Sequence, residues 1–235
     1  MMNSVPLRYP LQTNSPKFIA PEQLNFDRSA IDAFLAACHR RRYPTKTTIM
    51  RPGDSASTLY YIISGSLTVS SEDEDGNELI LAYINPGEFI GEMGIFVETT
   101  QREVVVRSRT ACDLAEISYE RLFKLFEGPL RQECPKILFA IGTQLATRML
   151  HTNRKVSRLA FMDVTSRVAR TLMDLTQEPD AMTHPQGTQI RISRQEISRI
   201  VGCSREMVGR VLKQLEERGM ITASGKTIVL LGTRG

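Results

Sequence analysis

Only four cysteines occur in 235 residues, and none of Cys38, Cys112, Cys134 and Cys203 forms a C-x-x-C pair with another. That scatter excludes the usual zinc and iron–sulfur spacings; Cys112 and Cys203 read as small core residues, and a reducing cytoplasm is the expected compartment. Histidine is scarcer still, with three in the chain, so His184 is not expected to serve as a metal ligand or catalytic base. No Ser/His/Asp arrangement, metal cluster or P-loop is visible, and an enzyme is not expected. Apolar runs are far too short to span a bilayer, and the N-terminus lacks the uninterrupted hydrophobic region of a signal peptide. Net charge is also small, at +4, so no partner can be argued from the total.

What is present describes an ordinary globular chain of one or two domains, 41% apolar and 24% charged. Charge is unevenly spread. Arg and Lys outnumber Glu between Arg191 and Arg218, whereas Glu72–Glu78 is strongly acidic. The two ends of the molecule are therefore expected to face different partners.

Residues 1–26, with Pro6, Pro10, Pro16 and Pro21, read as an arm without periodicity. A short helix is expected over Ser29–His39. Brief β-like runs follow at Thr47–Met50, Leu59–Ser64, Ser66–Ser70, Leu79–Ile84, Glu88–Ile90, Glu103–Ser108 and Asp113–Ser118. Turn signals at Pro52-Gly53, Asp75-Gly76 and Pro86-Gly87 fit a meander or jelly roll. From Lys136 to about Asp163 the period becomes helical. Leu138, Leu145, Thr152 and Leu159 recur every seven residues, with Met149 and Val156 beside them, as in a two-stranded seam; a parallel homodimer is expected. A helix over Thr165–Gln177, a Pro-containing loop and a β wing around Gly225–Leu231 complete the outline.

The segment Arg194–Lys213 reads as two helices joined by a tight turn. Ser193 and Glu196 have capping-box spacing, Ile197, Ile200 and Val201 form an apolar face, and Gly202 supplies the turn. Ser204 can cap the next helix, whose Val208, Val211, Leu212 and Leu215 face inward. Arg205, Glu206, Gly209, Arg210 and Lys213 then share the opposite face. An arginine fork fits guanine O6 and N7, and a glutamate can accept from cytosine N4, so this face is expected to read a DNA major groove.

A second cluster, Phe89-Ile-Gly-Glu-Met-Gly-Ile-Phe96 followed by Gln101–Arg107, places glycines and an arginine where backbone N–H groups and a guanidinium could hold a phosphate. The same residues fit a barrel corner with Arg102 salt-bridged at the surface, and residue pattern alone leaves both open.

Together these stretches resemble the CRP/FNR (catabolite activator protein) family of transcription regulators, from about Cys38 to Arg234 with a short insertion near Glu127–Cys134. The resemblance implies an α+β fold: a cyclic-nucleotide-binding-type β jelly roll over 27–134, a dimerisation helix and hinge over 135–163, and a C-terminal winged helix-turn-helix over 164–235. It implies a homodimer on palindromic DNA resembling TGTGA-N6-TCACA. Arg205, Arg210 and Glu206 would read bases, Arg194 and Lys213 would hold phosphates, and Gln195 and Ser204 would lie in the same interface. Gly91, Glu92 and Arg102 match the nucleotide-contacting positions of the family's phosphate cassette, and Thr152 and Asn153 match those that reach the purine.

There is a departure. Glu103 stands where cyclic AMP receptors carry a hydroxyl that donates to the phosphate, and a carboxylate has no proton to donate there near neutral pH. Asn153 likewise replaces a serine. Arg102-Glu-Val104, Gly91-Glu-Met-Gly94 and Ile117-Ser-Tyr-Glu-Arg121 are more similar to the Clp-type global regulators of xanthomonads. That likeness implies a dimer that binds DNA without ligand and is inhibited by cyclic di-GMP, with Arg158 as a partner for a dinucleotide phosphate. Cyclic AMP activation is the alternative, and a nucleotide-binding module of an enzyme a more distant one. No cofactor is required under the leading reading. The resemblance also implies contacts with RNA polymerase, through Thr183, His184 and Gly187 and through a basic patch of His39, Arg41 and Arg121.

Overall fold

In a computed structural model, residues 28–232 are described, and the arm expected over 1–26 lies outside them. The chain opens with helix α1 (Arg28–Ala37), which buries Ala30, Ile31 and Phe34 at the three- and four-residue spacing of one helix face. Strands β1 (His39–Tyr43), β2 (Thr48–Met50), β3 (Thr58–Ser64), β4 (Leu67–Glu72), β5 (Glu78–Ile84) and β6 (Phe89–Ile90) follow, then the short helix α2 (Met93–Phe96), β7 (Val105–Ser108) and β8 (Cys112–Ser118). They pair antiparallel into two four-stranded sheets, ordered β1-β8-β3-β6 and β2-β7-β4-β5. Of the two arrangements the sequence allows, the jelly roll is the one realised.

Between the sheets Ile62, Leu67, Ile84, Ile90, Val106 and Leu114 are buried. A second cluster on the outer face of one sheet packs Phe34, Tyr61 and Phe89 edge-to-face, with centroids 4.9–6.4 Å apart. Into this cluster fit α3 (Tyr119–Glu127) and the first half of the long helix α4 (Cys134–Phe161).

Two features here are not legible in the sequence pattern. His39-Arg-Arg-Arg42 reads as a charge run, yet it forms edge strand β1, registered against Cys112–Glu116 of β8. Backbone pairing does not require an apolar face at a sheet edge, and exposed charge there discourages pairing with another chain. The α3 helix is likewise unanticipated; it is capped by Ser118, whose side chain accepts from the Arg121 N–H.

The first half of the seam on α4 needs correction. Leu138 and Leu145 pack against the β-domain core of their own chain, whereas Leu159, near Gly202, stays 39% accessible. The apolar residues left exposed on α4 include Met149 and Val156, 61% and 59% accessible. With Gly142, Ala146, Asn153 and Ala160 they alternate in threes and fours. A seven-residue repeat drifts about 20° per heptad on a straight helix, so an apolar column read every seven residues need not stay on one face. Sequence periodicity alone does not separate two adjacent stripes.

After α4, two extended residues, Met162 and Asp163, lead into α5 (Val164–Leu175). The Pro-containing segment expected as a loop contains instead a hairpin of β9 (Met182–His184) and β10 (Gly187–Arg191). Helices α6 (Arg194–Val201) and α7 (Arg205–Glu217) and the wing β11 (Ile221–Ser224) and β12 (Thr227–Leu231) complete the C-terminal unit. Its sheet order is β11-β12-β10-β9, and Val168, Leu172, Ile197, Val208, Val211, Leu212 and Leu215 form its core.

Candidate nucleic-acid interface and ligand cleft

Helices α6 and α7 meet as the sequence suggests. Ser193 caps α6 by accepting from the Glu196 N–H at 3.1 Å, and Ser204 caps α7 by accepting from the Met207 N–H at 3.2 Å. Gly202 ends α6 in the left-handed region at φ 69°, which lets the chain reverse between the helices. Only half of the expected capping box forms: the Glu196 carboxylate leaves its own helix and accepts from the Tyr83 hydroxyl of β5 at 2.7 Å.

With Val208, Val211, Leu212 and Leu215 buried, Arg205, Glu206, Arg210 and Lys213 are exposed together on the other side of α7. Gly209 lies among them, and a Cβ there would sit 3.7 Å from Arg194 Nη1. Arg194 thus reaches from α6 alongside α7, and Gln195 and Ser204 are exposed near the same helix starts. The face offers two guanidinium forks, a carboxylate and an ammonium at the spacing of successive helix turns.

The phosphate-cassette residues come only partly together. Arg102 lies against Gly91, donating through Nη2 to the Thr58 carbonyl at 2.5 Å and through Nη1 to the Tyr119 hydroxyl at 3.2 Å. Tyr119 in turn donates to the Gly91 carbonyl. Glu92 is 5% accessible and paired to Arg148 Nη1 of α4 at 2.7 Å. Arg148 also donates to the Phe89 carbonyl at 2.6 Å, and Gln144 brackets the same peptide by accepting from the Phe89 N–H and donating to its carbonyl. Glu103 is solvent-exposed beside this cradle. Arg148 and Gln144 do not stand out in the sequence, and Tyr119 does so only as part of the Ile117–Arg121 motif, with no sign of its contact to Arg102. Arg148 has one available signal, its place a helical turn before Thr152.

Thr152 and Asn153 diverge. Thr152 lines a cleft of about 400 Å³ between β5, α4 and helices α5 and α6, whereas Asn153 faces an open groove with Leu150, Arg154 and Ser157. Arg158 touches both hollows and is ion-paired with Asp174 of α5. The cleft is rich in cationic side chains: Arg148, Lys155, Arg158 and Arg167, with His151 nearby, against Glu88, Asp174 and Glu178. Two of these arginines, Arg148 and Arg167, keep a buried Nε–H with no acceptor among the described residues. Burial lowers Lys155 from its usual 10.5 to about 8, and its ammonium donates to the Ile80 carbonyl.

Of the residues matched to polymerase contacts, Thr183, His39, Arg41 and Arg121 are exposed and His184 half-exposed. Gly187 is a correction. It is buried in the β9–β10 hairpin, and a Cβ there would overlap the Leu230 carbonyl oxygen, so close strand approach accounts for this glycine. Arg40 and Arg121 lie near enough to Cys38 to act on its thiol, though burial dominates and pushes it up to about 12. No helix among the described residues is long and apolar enough to cross a membrane, and no group of three or more His, Cys, Asp or Glu among them is placed to hold a metal.

Comparison with known proteins follows these divisions. Residues 40–128 match a cyclic nucleotide-binding domain and residues 166–234 a Crp-like helix-turn-helix domain. The CRP-like protein Clp of Xanthomonas oryzae pv. oryzae is 60% identical over 215 residues, covering 92% of this chain and 94% of that protein; Clp of Xanthomonas campestris pv. campestris matches equally well. The solved structure of CLP, described as a c-di-GMP responsive global regulator linking cell–cell signalling to virulence gene expression in X. campestris, superposes with a TM-score of 0.85. It is 60% identical and covers 88% of this chain and 100% of its own. A CRP/FNR-family transcriptional regulator of Thermus thermophilus gives a TM-score of 0.68 at 25% identity, covering 82% of this chain and 93% of its own.

Proposed function

The chain belongs to the CRP-like family of DNA-binding transcription regulators and is not an enzyme, and from that premise we propose that it works as a homodimer that is DNA-competent without ligand and inhibited by cyclic di-GMP. The observation that carries DNA reading is the α7 face, where Arg205, Glu206, Arg210 and Lys213 stand exposed on a helix capped at its start. Arg205 and Arg210 read guanine or its neighbour and Glu206 reads cytosine. Arg194 and Lys213 fix the register on phosphates, with Gln195 and Ser204 in the same interface. The target is a palindrome resembling TGTGA-N6-TCACA, with recognition helices about 34 Å apart in successive major grooves.

Dimerisation runs through the α4 stripe of Gly142, Ala146, Met149, Asn153, Val156 and Ala160. The two small residues at its start let two helices approach closely, and the apolar pair Met149 and Val156 gains burial. Thr183 and His184, and the separate patch of His39, Arg41 and Arg121, are the surfaces offered to RNA polymerase.

Two observations favour cyclic di-GMP over cyclic AMP. The Glu92 carboxylate, which would hold a ribose hydroxyl, is already engaged by Arg148, and Glu103 brings a negative charge to the rim of the phosphate cradle. The interdomain cleft, by contrast, has room and cationic lining for a larger dianion, with Arg158 at its edge beside the hinge. A ligand bound between β5, α4 and α5 alters DNA affinity by favouring one domain arrangement over another. Cyclic AMP activation is a second reading because Gly91, Glu92 and Arg102 do converge.

The deciding experiment is a DNA-binding titration at fixed salt with no ligand, with cyclic AMP and with cyclic di-GMP. Tight ligand-free binding that cyclic AMP leaves unchanged and cyclic di-GMP weakens is expected. Binding that appears only with cyclic AMP overturns the assignment.

A further inference from the structure

The helix-turn-helix unit is joined to the rest of the chain through Met162 and Asp163, two residues of extended backbone that do not by themselves fix its orientation. Across the hinge Arg158 pairs with Asp174 near the far end of α5, and Arg167 donates to the Met162 carbonyl at the pivot itself. Further attachments come from β5, the residue after it and the turn after β7. Glu78, at the start of β5 and with its side chain only 11% accessible, pairs with Arg199 of α6 at 3.0 Å. Leu79 packs beside Gly202. Tyr83 donates to Glu196 of α6 at 2.7 Å, and Asn85 donates to Glu178 at 3.2 Å. Arg109 stacks 4.6 Å over the Tyr83 ring and pairs with Asp180.

These contacts do not lie on one line. The Glu78 and Asn85 positions are about 20 Å apart along an extended strand, and Arg109 stands to one side. One ion pair permits a swivel, whereas three separated attachments fix rotation as well as distance. The Tyr83 hydroxyl, its pKa raised by burial and by the Glu196 charge, stays a proton donor throughout the physiological range. Glu196 forgoes its half of the capping box to accept that hydrogen bond, which favours the interdomain bond over the local one. The reading face of α7 is exposed while these contacts are made.

We propose that Glu78, Tyr83, Asn85 and Arg109 form an interdomain latch that holds the helix-turn-helix unit in its DNA-reading pose. Tyr83, Asn85 and Glu178 also line the 400 Å³ cleft, so an occupant of the cleft competes with the latch for the same side chains. The inference rests on ligand-free DNA competence. It assigns to the β domain a direct part in DNA affinity, although none of its residues need touch DNA.

The test uses full-length protein carrying Glu78→Gln, Tyr83→Phe and Arg109→Gln, singly and together. All three changes lie in the β domain, away from the α7 reading face, so none of them removes a contact to DNA. Two quantities are read without ligand: affinity for the palindromic duplex, and amide hydrogen exchange of β5 and α6. The triple variant should bind at least roughly tenfold more weakly, as expected from losing several polar contacts to charged partners. Exchange in β5 and α6 should rise while the buried strands β3 and β8 stay protected. Arg205→Ala, as a control, should weaken DNA binding and leave exchange unchanged. Wild-type affinity together with wild-type exchange in the triple variant overturns the latch. Loss of protection in β3 and β8 as well would mean a misfolded β domain, in which case the single Tyr83→Phe, one hydroxyl removed with the ring retained, decides by the same two readings. A wild-type protein that does not bind ligand-free DNA refutes the parent reading instead, and the exchange measurement, which needs no DNA, still decides the latch.

Discussion

Replacing Arg148 with methionine should destabilise the β domain more than an ordinary surface change, and the structure sets the size of the effect. Its guanidinium is the partner of Glu92 at 2.7 Å, and the side chains are 22% and 7% accessible respectively. Methionine retains most of the volume and removes the charge, leaving the Glu92 carboxylate buried without a counterion. Breaking a buried pair from one side costs about 3–5 kcal/mol. Because Arg148 is partly hydrated, the low end applies, near 3 kcal/mol. For a protein of this size that corresponds to a fall of about 10 °C in Tm. The reverse change, Glu92→Met, should cost only about 1 kcal/mol, because Arg148 still has the Phe89 carbonyl and Glu88 and can reach water. Combining the two removes both charges, and the double variant should recover most of the loss. Differential scanning calorimetry of the four proteins completes the cycle. A drop of less than about 2 °C for Arg148→Met, or a double variant whose loss equals the sum of the singles, would refute the claim that this pair is buried and coupled.

Further outcomes rest on the same geometry. Arg205→Ala should lose about 1–3 kcal/mol of DNA affinity and relax specificity at one base pair, read by titrating a set of singly substituted duplexes; equal loss on every sequence contradicts base reading. Placing charge on the α4 stripe with Met149→Glu and Val156→Glu should give a monomer by sedimentation velocity, while the same change at the inward-facing Leu145 should unfold the β domain. Gly187→Ala should cost several kcal/mol of stability in a thermal melt, because its Cβ would overlap the Leu230 carbonyl, and retained stability would mean that the hairpin shifts freely. The Lys155 ammonium, lowered to about 8 by burial, costs the folded state most below that pH; stability should rise as pH climbs from about 8 toward its ordinary 10.5. An anionic ligand reverses the preference, so cyclic di-GMP binding near pH 8–9 should take up protons and weaken as pH rises, measured by calorimetry in buffers of different ionisation enthalpy.

Local chemistry is legible in the sequence wherever one segment suffices to satisfy it. Both helix caps, the left-handed turn at Gly202 and the inward face of α7 follow from residues within a few positions of one another, and the structure has them where the pattern puts them. The short strands of the β domain are legible from alternation and turn residues, though not their jelly-roll order, and except for β1, whose pairing with β8 joins segments about 70 residues apart and leaves no apolar signature. The family resemblance rests on the same short-range patterns, the cassette and the helix-turn-helix.

Only the tertiary structure decided which partner each charged or apolar side chain takes. Nothing near Glu92 in sequence announces Arg148, 56 positions away, nor does anything near Glu196 announce Tyr83. The first half of the α4 seam is misread from sequence for a related reason. Periodicity identifies an apolar column but not the surface that covers it, and here the β domain takes Leu138 and Leu145 and leaves Met149 and Val156 exposed. A chain encodes its local geometry in neighbouring residues; the choice among competing partners is settled by burial, which depends on what the rest of the fold brings near.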